Sequence, residues 1–128
     1  MEKLPQINDS LFPITYEHLY RTTISENNRP LPDANPDLFI KSAKFSQPLL
    51  LDAKKVIDTF AQSESFSKHV MAAAQESNKA RVTAMIRQTG VQTIPDILYN
   101  PDGIRFDFHP KNGEDLCHVI ISLKWRNF

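Results

Sequence analysis

The sequence predicts an α+β domain in which three helices precede a three-stranded antiparallel β-meander and pack on one face of it. Two patterns carry this prediction. Over residues 36–90 apolar side chains recur at helical spacing between capping residues. Over residues 94–125 apolar and polar side chains alternate, with two turn sequences between the runs. A chain of 128 residues has room for one such domain with a single hydrophobic core.

The first helix is expected to begin at Asn35-Pro36-Asp37. Asparagine caps a helix, proline suits the first helical position, and aspartate is stabilised at the positive end of the helix dipole. Pro48 lacks an amide N–H and its ring crowds the preceding turn, which predicts a kink or a break there. Beyond Pro48, apolar residues at helical spacing define one face: Leu49, Ala53, Val56, Ile57 and Phe60.

Two shorter helices are expected to follow. Ser63 or Ser65 is predicted to cap the second helix and Asn78 the third, with Gly90 ending the third helix. The apolar face of the second helix comprises Phe66, His69, Val70, Ala73 and Ala74, and that of the third comprises Val82, Met85 and Ile86. Helices this short are marginal alone, so their apolar faces require a partner to cover them.

The last third of the chain supplies that partner as a sheet. A first strand over residues 94–99 ends in Asn100-Pro101-Asp102-Gly103, a turn in which the glycine is expected to take a positive φ. Ile104, Phe106 and Phe108 then alternate with polar residues, which predicts one buried face. After a second turn at residues 111–115, the inner face of the last strand is predicted to comprise Cys117, Val119, Ile121, Leu123 and Trp125.

Residues 1–34 are predicted to form a proline-rich, largely extended arm in front of a folded domain over residues 35–128. Five of the nine prolines lie in the first 36 residues, whereas the whole chain has three glycines. Residues 1–39 carry three basic and six acidic side chains, and residues 40–90 carry eight basic and four acidic ones. The formal net charge is zero, which argues against a dedicated nucleic-acid-binding protein.

Sorting and redox signals are sparse. The single cysteine excludes an intramolecular disulfide. The start of the chain lacks the basic and apolar regions of a signal peptide, and no apolar run approaches the length of a membrane span. We therefore expect synthesis in the cytoplasm and no membrane-spanning segment.

Catalytic and metal-binding chemistry finds little support in the sequence. The one metal-capable cluster comprises His109, Asp115, Cys117 and His118, but adjacent strand residues point to opposite faces. Only the two histidines are expected to share a side, which is fewer ligands than zinc requires. Cys117 is expected to pack in the core as a small apolar residue. No catalytic, cofactor-binding or metal-binding residue is predicted.

A set of short motifs between residues 36 and 125 resembles a known family. The motifs are Asp37-Leu38-Phe39, Leu51-Asp52-Ala53, Met71-Ala72-Ala73-Ala74-Gln75, Thr89-Gly90, Asn100-Pro101-Asp102-Gly103, Cys117-His118 and Ile121-Ser122-Leu123-Lys124-Trp125. In these the chain resembles the small inner spore coat proteins of endospore-forming bacteria. The resemblance implies a non-enzymatic structural protein, made in the mother cell during sporulation. It also implies incorporation into the inner coat through contacts with other coat proteins or with itself.

A second interpretation remains open at this stage, a small cytoplasmic regulator or adaptor with weak nucleic-acid contact through its basic middle segment. Exposed aromatic and cationic side chains are typical of interaction surfaces. On that basis six residues are predicted to make contacts with partners: Tyr16, Tyr20, Arg81, Arg87, Lys124 and Arg126.

Overall fold

Three helices precede three antiparallel strands in the computed structural model, which describes residues 31–127. The helices are α1 (Pro36–Gln62), α2 (Glu64–Gln75) and α3 (Lys79–Gln88). The strands are β1 (Asp96–Asn100), β2 (Gly103–Phe108) and β3 (Val119–Lys124), in the sheet order β1-β2-β3. The predicted α+β fold class is therefore confirmed. The predicted boundary between an arm and a domain stays a prediction, because most of the arm lies outside the described residues.

Helix α1 continues through Pro48 as a single helix of 27 residues, so of the predicted kink or break the break is wrong and the kink stays a prediction. Pro48 is exposed, and the buried residues of α1 all lie on its carboxyl-terminal side. On the carboxyl-terminal side Leu49 and Val56 are buried in the core. On the amino-terminal side Lys41 forms a 3.0 Å salt bridge with Glu114. Burial over several turns outweighs the loss of one backbone hydrogen bond at the proline.

The predicted caps of the second and third helices are confirmed, with Ser63 rather than Ser65 capping the second. The Ser63 hydroxyl accepts a hydrogen bond from the amide of Phe66 at 3.2 Å, and the Asn78 side-chain oxygen accepts one from the amide of Arg81 at 3.1 Å. Gly90 follows the last residues of α3 with a φ of +92°, the left-handed conformation common after helix ends. These local signals fix where α2 begins and where α3 begins and ends.

The core is formed by buried residues of all three helices and of the inner face of the sheet. β2 is the central strand, and its Ile104, Phe106 and Phe108 are buried as their alternation predicts. Helix α1 packs against β2 and β3, while α2 packs against both other helices. The ring centroids of Phe60 and Phe106 lie 5.8 Å apart, which joins the end of α1 to the centre of the sheet.

Asp52 is a charged residue inside this core, with 2% of its surface exposed. Its two carboxylate oxygens accept hydrogen bonds from the backbone amides of Gln92 and Thr93, at 3.0 and 2.9 Å. Lys55 approaches the same carboxylate at 3.8 Å and donates a hydrogen bond to the carbonyl oxygen of Gly90 at 3.2 Å. The segment that leads from α3 into β1 is thereby attached to the middle of α1.

The first turn of the sheet differs from the prediction in one respect. Gly103 does not adopt a positive φ, which among the described glycines is found only at Gly90 and Gly113. The Asn100 side-chain oxygen instead shapes the turn by accepting hydrogen bonds from the amides of Asp102 and Gly103, at 2.8 and 3.1 Å. Glycine is required at position 103 because a Cβ atom there would clash with the carbonyl oxygen of Leu123 on β3.

One residue that was predicted to lie on the covered face of α2 is exposed instead. Val70, Ala73 and Ala74 are buried and Phe66 is half-buried, as expected. His69 is exposed, although the apolar spacing places it on the covered face. The covered face of α2 is therefore narrower than the apolar pattern suggests, and the imidazole lies on its solvent side.

Replacing Asp52 with alanine is expected to lower the free energy of unfolding by about 2–4 kcal/mol, because two amides in the core lose a charged acceptor. Asp52→Asn keeps one acceptor oxygen and is expected to recover part of this loss. Urea denaturation of the full chain measures both. Asp58→Ala is the control, since Asp58 forms an exposed pair with Lys54 on the same helix and its loss is expected to cost less than about 1 kcal/mol. Equal losses for the Asp52→Ala and Asp58→Ala variants would contradict the assigned role.

Gly103→Ala is expected to destabilise the protein by about 2–3 kcal/mol, because the added methyl group must push β3 away from β2. Gly113→Ala is the comparison, since Gly113 has a φ of +86° but a methyl group there would meet no atom within 4 Å beyond its chain neighbours. Its cost is expected to be about 1 kcal/mol, from backbone strain alone. Thermal unfolding of both variants distinguishes steric conflict from strain. A larger loss for Gly113→Ala would refute the account of the turn.

Candidate interaction surfaces

Helix α1 carries a second apolar face that the domain does not cover. Phe39, Leu50 and Ile57 lie within about 20° of one another around the helix axis, since successive residues are about 100° apart. The buried residues Leu49 and Val56 lie on a different side of the same helix. We refer to the uncovered face as the apolar stripe, which comprises Phe39, Ala43, Leu50 and Ile57, and the exposed Ile40 and Leu51 lie about 100–120° further around the helix.

The side chains of the apolar stripe are strongly exposed. Phe39 exposes 78% of its surface, Leu51 62%, Leu50 55% and Ile57 41%. Isolated exposed apolar residues are ordinary, but a contiguous group along one helix marks an interaction site. Because α1 continues through Pro48, the stripe has members on both sides of the proline, with Ser46 on the same line between Ala43 and Leu50.

The sequence pattern predicts only the covered face of α1. It assigns Ile57 to that face, whereas the structure places this residue on the apolar stripe with 41% exposure. A signal for the second face is present in two apolar triplets, residues 38–40 and 49–51. Three consecutive helical residues span about 200° around the axis, so they cannot all face one core.

A second candidate surface surrounds Trp125, directly after β3. Its indole N–H donates a hydrogen bond to the carbonyl oxygen of Pro101 at 2.9 Å, and its amide donates one to the carbonyl oxygen of Asp102 at 3.0 Å. Trp125 contributes to two cavities, of about 140 and 490 Å³. The smaller is lined mainly by apolar residues of α1, α2 and the sheet, and the larger by the end of α2, Tyr99 and the β1–β2 turn.

The predicted contact residues fall into three groups. Lys124 lines the smaller of these cavities and Arg126 the larger, so the structure brings both beside Trp125. Arg81 and Arg87 are exposed on α3 and line neither cavity. The predicted contacts at residues 16 and 20 lie outside the described residues. None of the six predicted residues belongs to the apolar stripe.

The outer face of the sheet carries a group of paired histidines and carboxylates, which we call the histidine–carboxylate cluster. His109 Nε2 lies 2.8 Å from Asp96, and the two nitrogens of His118 lie 2.8 and 2.5 Å from Asp107 and Asp115. The two imidazole rings are 5.3 Å apart. The cluster joins both ends of the connection between β2 and β3 to the sheet, so its contacts serve to hold that connection in place.

The charge state of His118 follows from these contacts. Partial burial by itself lowers the pKa of His118, but the hydrogen bonds to Asp107 and Asp115 and their negative charges outweigh it, and the pKa is raised. Both ring nitrogens face carboxylate oxygens, and only the protonated imidazolium can donate to both. The cluster is therefore favoured by a positive charge on His118.

Cys117 and the carboxylates nearby form no recognisable reactive centre. The thiol is half-buried against the core, and burial, with the Asp115 charge, raises the pKa of Cys117. A raised pKa disfavours the reactive thiolate. Among residues 31–127, no three His, Cys, Asp or Glu side chains are arranged to hold a metal ion.

Comparison with known proteins identifies a family and a relative from Bacillus subtilis. A family model described as YuzC spore coat inner layer protein matches residues 36–119, which span all three helices and most of the sheet. An uncharacterised protein, YuzC, from Bacillus subtilis (strain 168) is 33% identical over 96 residues, which cover 75% of each chain. The resemblance inferred from the sequence motifs is thereby confirmed.

Two negative findings accompany this relationship. No solved structure matches the chain. Within the part of the chain that the structure describes, no helix has the length and apolar character needed to cross a membrane.

The raised pKa of His118 predicts the direction in which the stability of the protein changes with pH. A group whose pKa is higher in the folded state contributes stability below its unfolded pKa, about 6.5 for histidine, and loses it as pH rises through the folded value. The free energy of unfolding of the wild-type protein is therefore expected to fall between about pH 5.5 and about pH 8.5, and that of His118→Gln to fall less. Urea denaturation at both pH values measures this. His69→Gln, a change at an exposed histidine on α2, is the control. If His118→Gln has the same pH dependence of stability as the wild-type protein, the contacts of His118 do not contribute to stability as described.

Proposed function

The chain belongs to the YuzC spore coat inner layer protein family, and from this membership we propose that it is a non-enzymatic structural component of the bacterial spore. In this proposal the protein is made in the mother cell during sporulation and joins the inner coat. It acts by binding other proteins rather than by transforming a substrate.

The observation that carries this proposal is the apolar stripe of α1. A domain that functioned alone would gain stability and solubility by keeping such side chains covered or polar. Here Leu50 is presented to solvent on the part of α1 whose other side is buried in the core, and Phe39 is presented on the amino-terminal part of the same helix, which has no buried residue. The family match includes the whole of α1. An exposed apolar helix face is suited to assembly with another protein surface.

The basic side chains between residues 40 and 90 give little support to the alternative function, a nucleic-acid-binding adaptor. Four of the eight cations between residues 40 and 90 lie near carboxylates, which reduces the positive field that a phosphate backbone would meet. These pairs are Lys41–Glu114 at 3.0 Å, Lys54–Asp58 at 2.6 Å, Lys55–Asp52 at 3.8 Å and Lys68–Glu64 at 3.0 Å. We retain Arg81, Arg87, Lys124 and Arg126 as proposed peripheral contacts with coat partners.

The proposal is tested by the position of a fluorescent fusion in the native host through growth and sporulation. We expect a ring around the developing spore and no signal of that form in growing cells. Diffuse fluorescence at both stages would overturn the assignment to the coat.

The role of the apolar stripe is tested with Leu50→Glu in the same fusion. A charge at this exposed position is expected to leave folding nearly unchanged and to abolish or strongly weaken the ring, because the partner surface cannot solvate a carboxylate. Leu98→Glu is the matched control, since Leu98 is 60% exposed on the sheet. If Leu50→Glu assembles as well as Leu98→Glu does, the stripe is not the contact surface.

A further inference from the structure

We propose that the surface around Trp125 binds an acidic segment of a partner protein, in which a phenylalanine side chain is flanked by carboxylates. The phenyl ring enters the smaller of the two cavities beside Trp125, and the carboxylates lie against Lys124 and Arg126. The inference rests on the proposed function in treating these two cations as partner contacts. It adds the chemistry of the segment that they contact.

The smaller cavity has the size and the lining for one aromatic ring. Its volume is about 140 Å³, and an apolar cavity of about 150 Å³ holds one benzene molecule. The Ser67 hydroxyl in its wall is already engaged, since it donates a hydrogen bond to the carbonyl oxygen of Phe60 at 2.9 Å. Apart from Ser67 and Lys124, the lining is apolar or aromatic: Phe60, Val70, Met71, Ile104, Leu123 and Trp125. It offers a ring aromatic and thioether contacts rather than hydrogen bonds.

The indole that separates the two cavities is held in place before any ligand binds. Trp125 donates hydrogen bonds from its indole to the carbonyl oxygen of Pro101 at 2.9 Å and from its amide to that of Asp102 at 3.0 Å. Little of the cost of ordering this side chain is therefore left to binding. Because Trp125 lines both cavities, a segment anchored in the smaller one continues past the indole into the larger one.

The charges around Trp125 favour an acidic ligand. Lys124 lines the smaller cavity and Arg126 the larger, and no acidic side chain of the described residues lines either one. Glu76 and Asp102 are next to lining residues in the chain but line neither cavity. Within residues 31–127, Lys124 and Arg126 form no salt bridge, and both are exposed. Carboxylates on a ligand would complement both cations, whereas a basic ligand would be repelled.

The larger cavity adds hydrogen-bond donors of the same preference. The Asn100 side-chain oxygen is occupied by the amides of Asp102 and Gly103, at 2.8 and 3.1 Å, so its amino group is the part left to bind a ligand. Together with the Arg126 guanidinium, this group suits carboxylate and backbone carbonyl oxygens. The ring site and the cationic sites lie on both sides of the indole, which fits a segment of several residues better than one small molecule.

An NMR titration of the isotopically labelled full chain with the synthetic peptide acetyl-Asp-Glu-Phe-Glu-Asp-amide tests the proposal. The chain has one tryptophan, so the indole N–H signal of Trp125 is a specific reporter. We expect this signal to shift with a Kd of about 0.1–1 mM, the strength of one buried ring and a few exposed ion pairs.

Variants of the peptide test the two parts of the site separately. Alanine in place of phenylalanine leaves the smaller cavity unfilled, and tryptophan exceeds its volume, so each is expected to weaken binding at least about tenfold. Lysine in place of every acidic residue is expected to abolish the shift. If the alanine peptide or the lysine peptide binds as tightly as the parent peptide, the proposal is wrong.

Charge reversal on the protein supplies the matched comparison. Lys124→Glu combined with Arg126→Glu is expected to weaken binding of the acidic peptide at least about tenfold and to permit binding of the lysine peptide. Arg81→Glu combined with Arg87→Glu makes the same change in net charge at exposed positions that line neither cavity, and is expected to alter the Kd by less than about twofold in about 0.15 M salt. Equal effects of the two double variants would overturn the assigned site.

The remaining outcomes separate this inference from the proposed function. Self-association of the wild-type chain that is abolished by Lys124→Glu with Arg126→Glu would make a second copy the occupant and overturn the assignment to another protein. If the acidic peptide does not bind but the fluorescent ring forms, the inference is wrong and the assignment to the coat stands. If the peptide binds but the fusion stays diffuse, the assignment to the coat is wrong and the binding surface stands.

Discussion

The contact on which the rest of the fold depends is that of the buried Asp52 carboxylate with two backbone amides. It joins the middle of α1 to residues 92 and 93, which lie about 40 positions further along the chain. The helices and the sheet are thereby held at a defined junction, and apolar packing of Val56, Ile86 and Phe106 fills the space around it. A buried charge is unfavourable unless its hydrogen bonds are satisfied, so this contact favours one arrangement of the chain over other compact ones.

With that junction in place, α1 has two apolar faces with different roles. One face closes the domain over β2 and β3, and the other presents Phe39 and Leu50 to solvent. In the proposed function, the same hydrophobic driving force serves folding on one side and assembly on the other. A continuous helix through Pro48 is a condition for this division, because a break there would turn the first part of the stripe away from the second.

The sequence predicts most of the fold because its signals are local. The caps at Ser63 and Asn78, the glycine after α3 and the alternation along β2 each act within a few residues. The errors concern features that depend on distant residues. Pro48 stays helical while the residues that follow it pack in the core, Gly103 is needed because β3 passes close to it, and Asp52 is buried because of amides across the chain.

The candidate surface is less predictable than the fold for a related reason. Apolar triplets in α1 indicate a second apolar face, yet which of the two faces is covered depends on how the sheet packs. Likewise the pairing of His109 and His118 with carboxylates requires the strand register and the connection between β2 and β3. The cationic residues predicted to contact partners were selected because they were expected to be exposed. Exposure does not distinguish a charge that is merely solvated from one that binds a partner.

Trp125, finally, is the single tryptophan of the chain, and it lies half-buried at the meeting point of α2, the β1–β2 turn and β3. Its indole is fixed by the hydrogen bond to Pro101. The tryptophan fluorescence of the protein, excited selectively over that of its three tyrosines, therefore arises at one defined place, at the end of the sheet away from the histidine–carboxylate cluster. Changes in the emission of Trp125 report on whether that end of the domain is folded, so local unfolding there can be followed in the native chain without an added fluorophore.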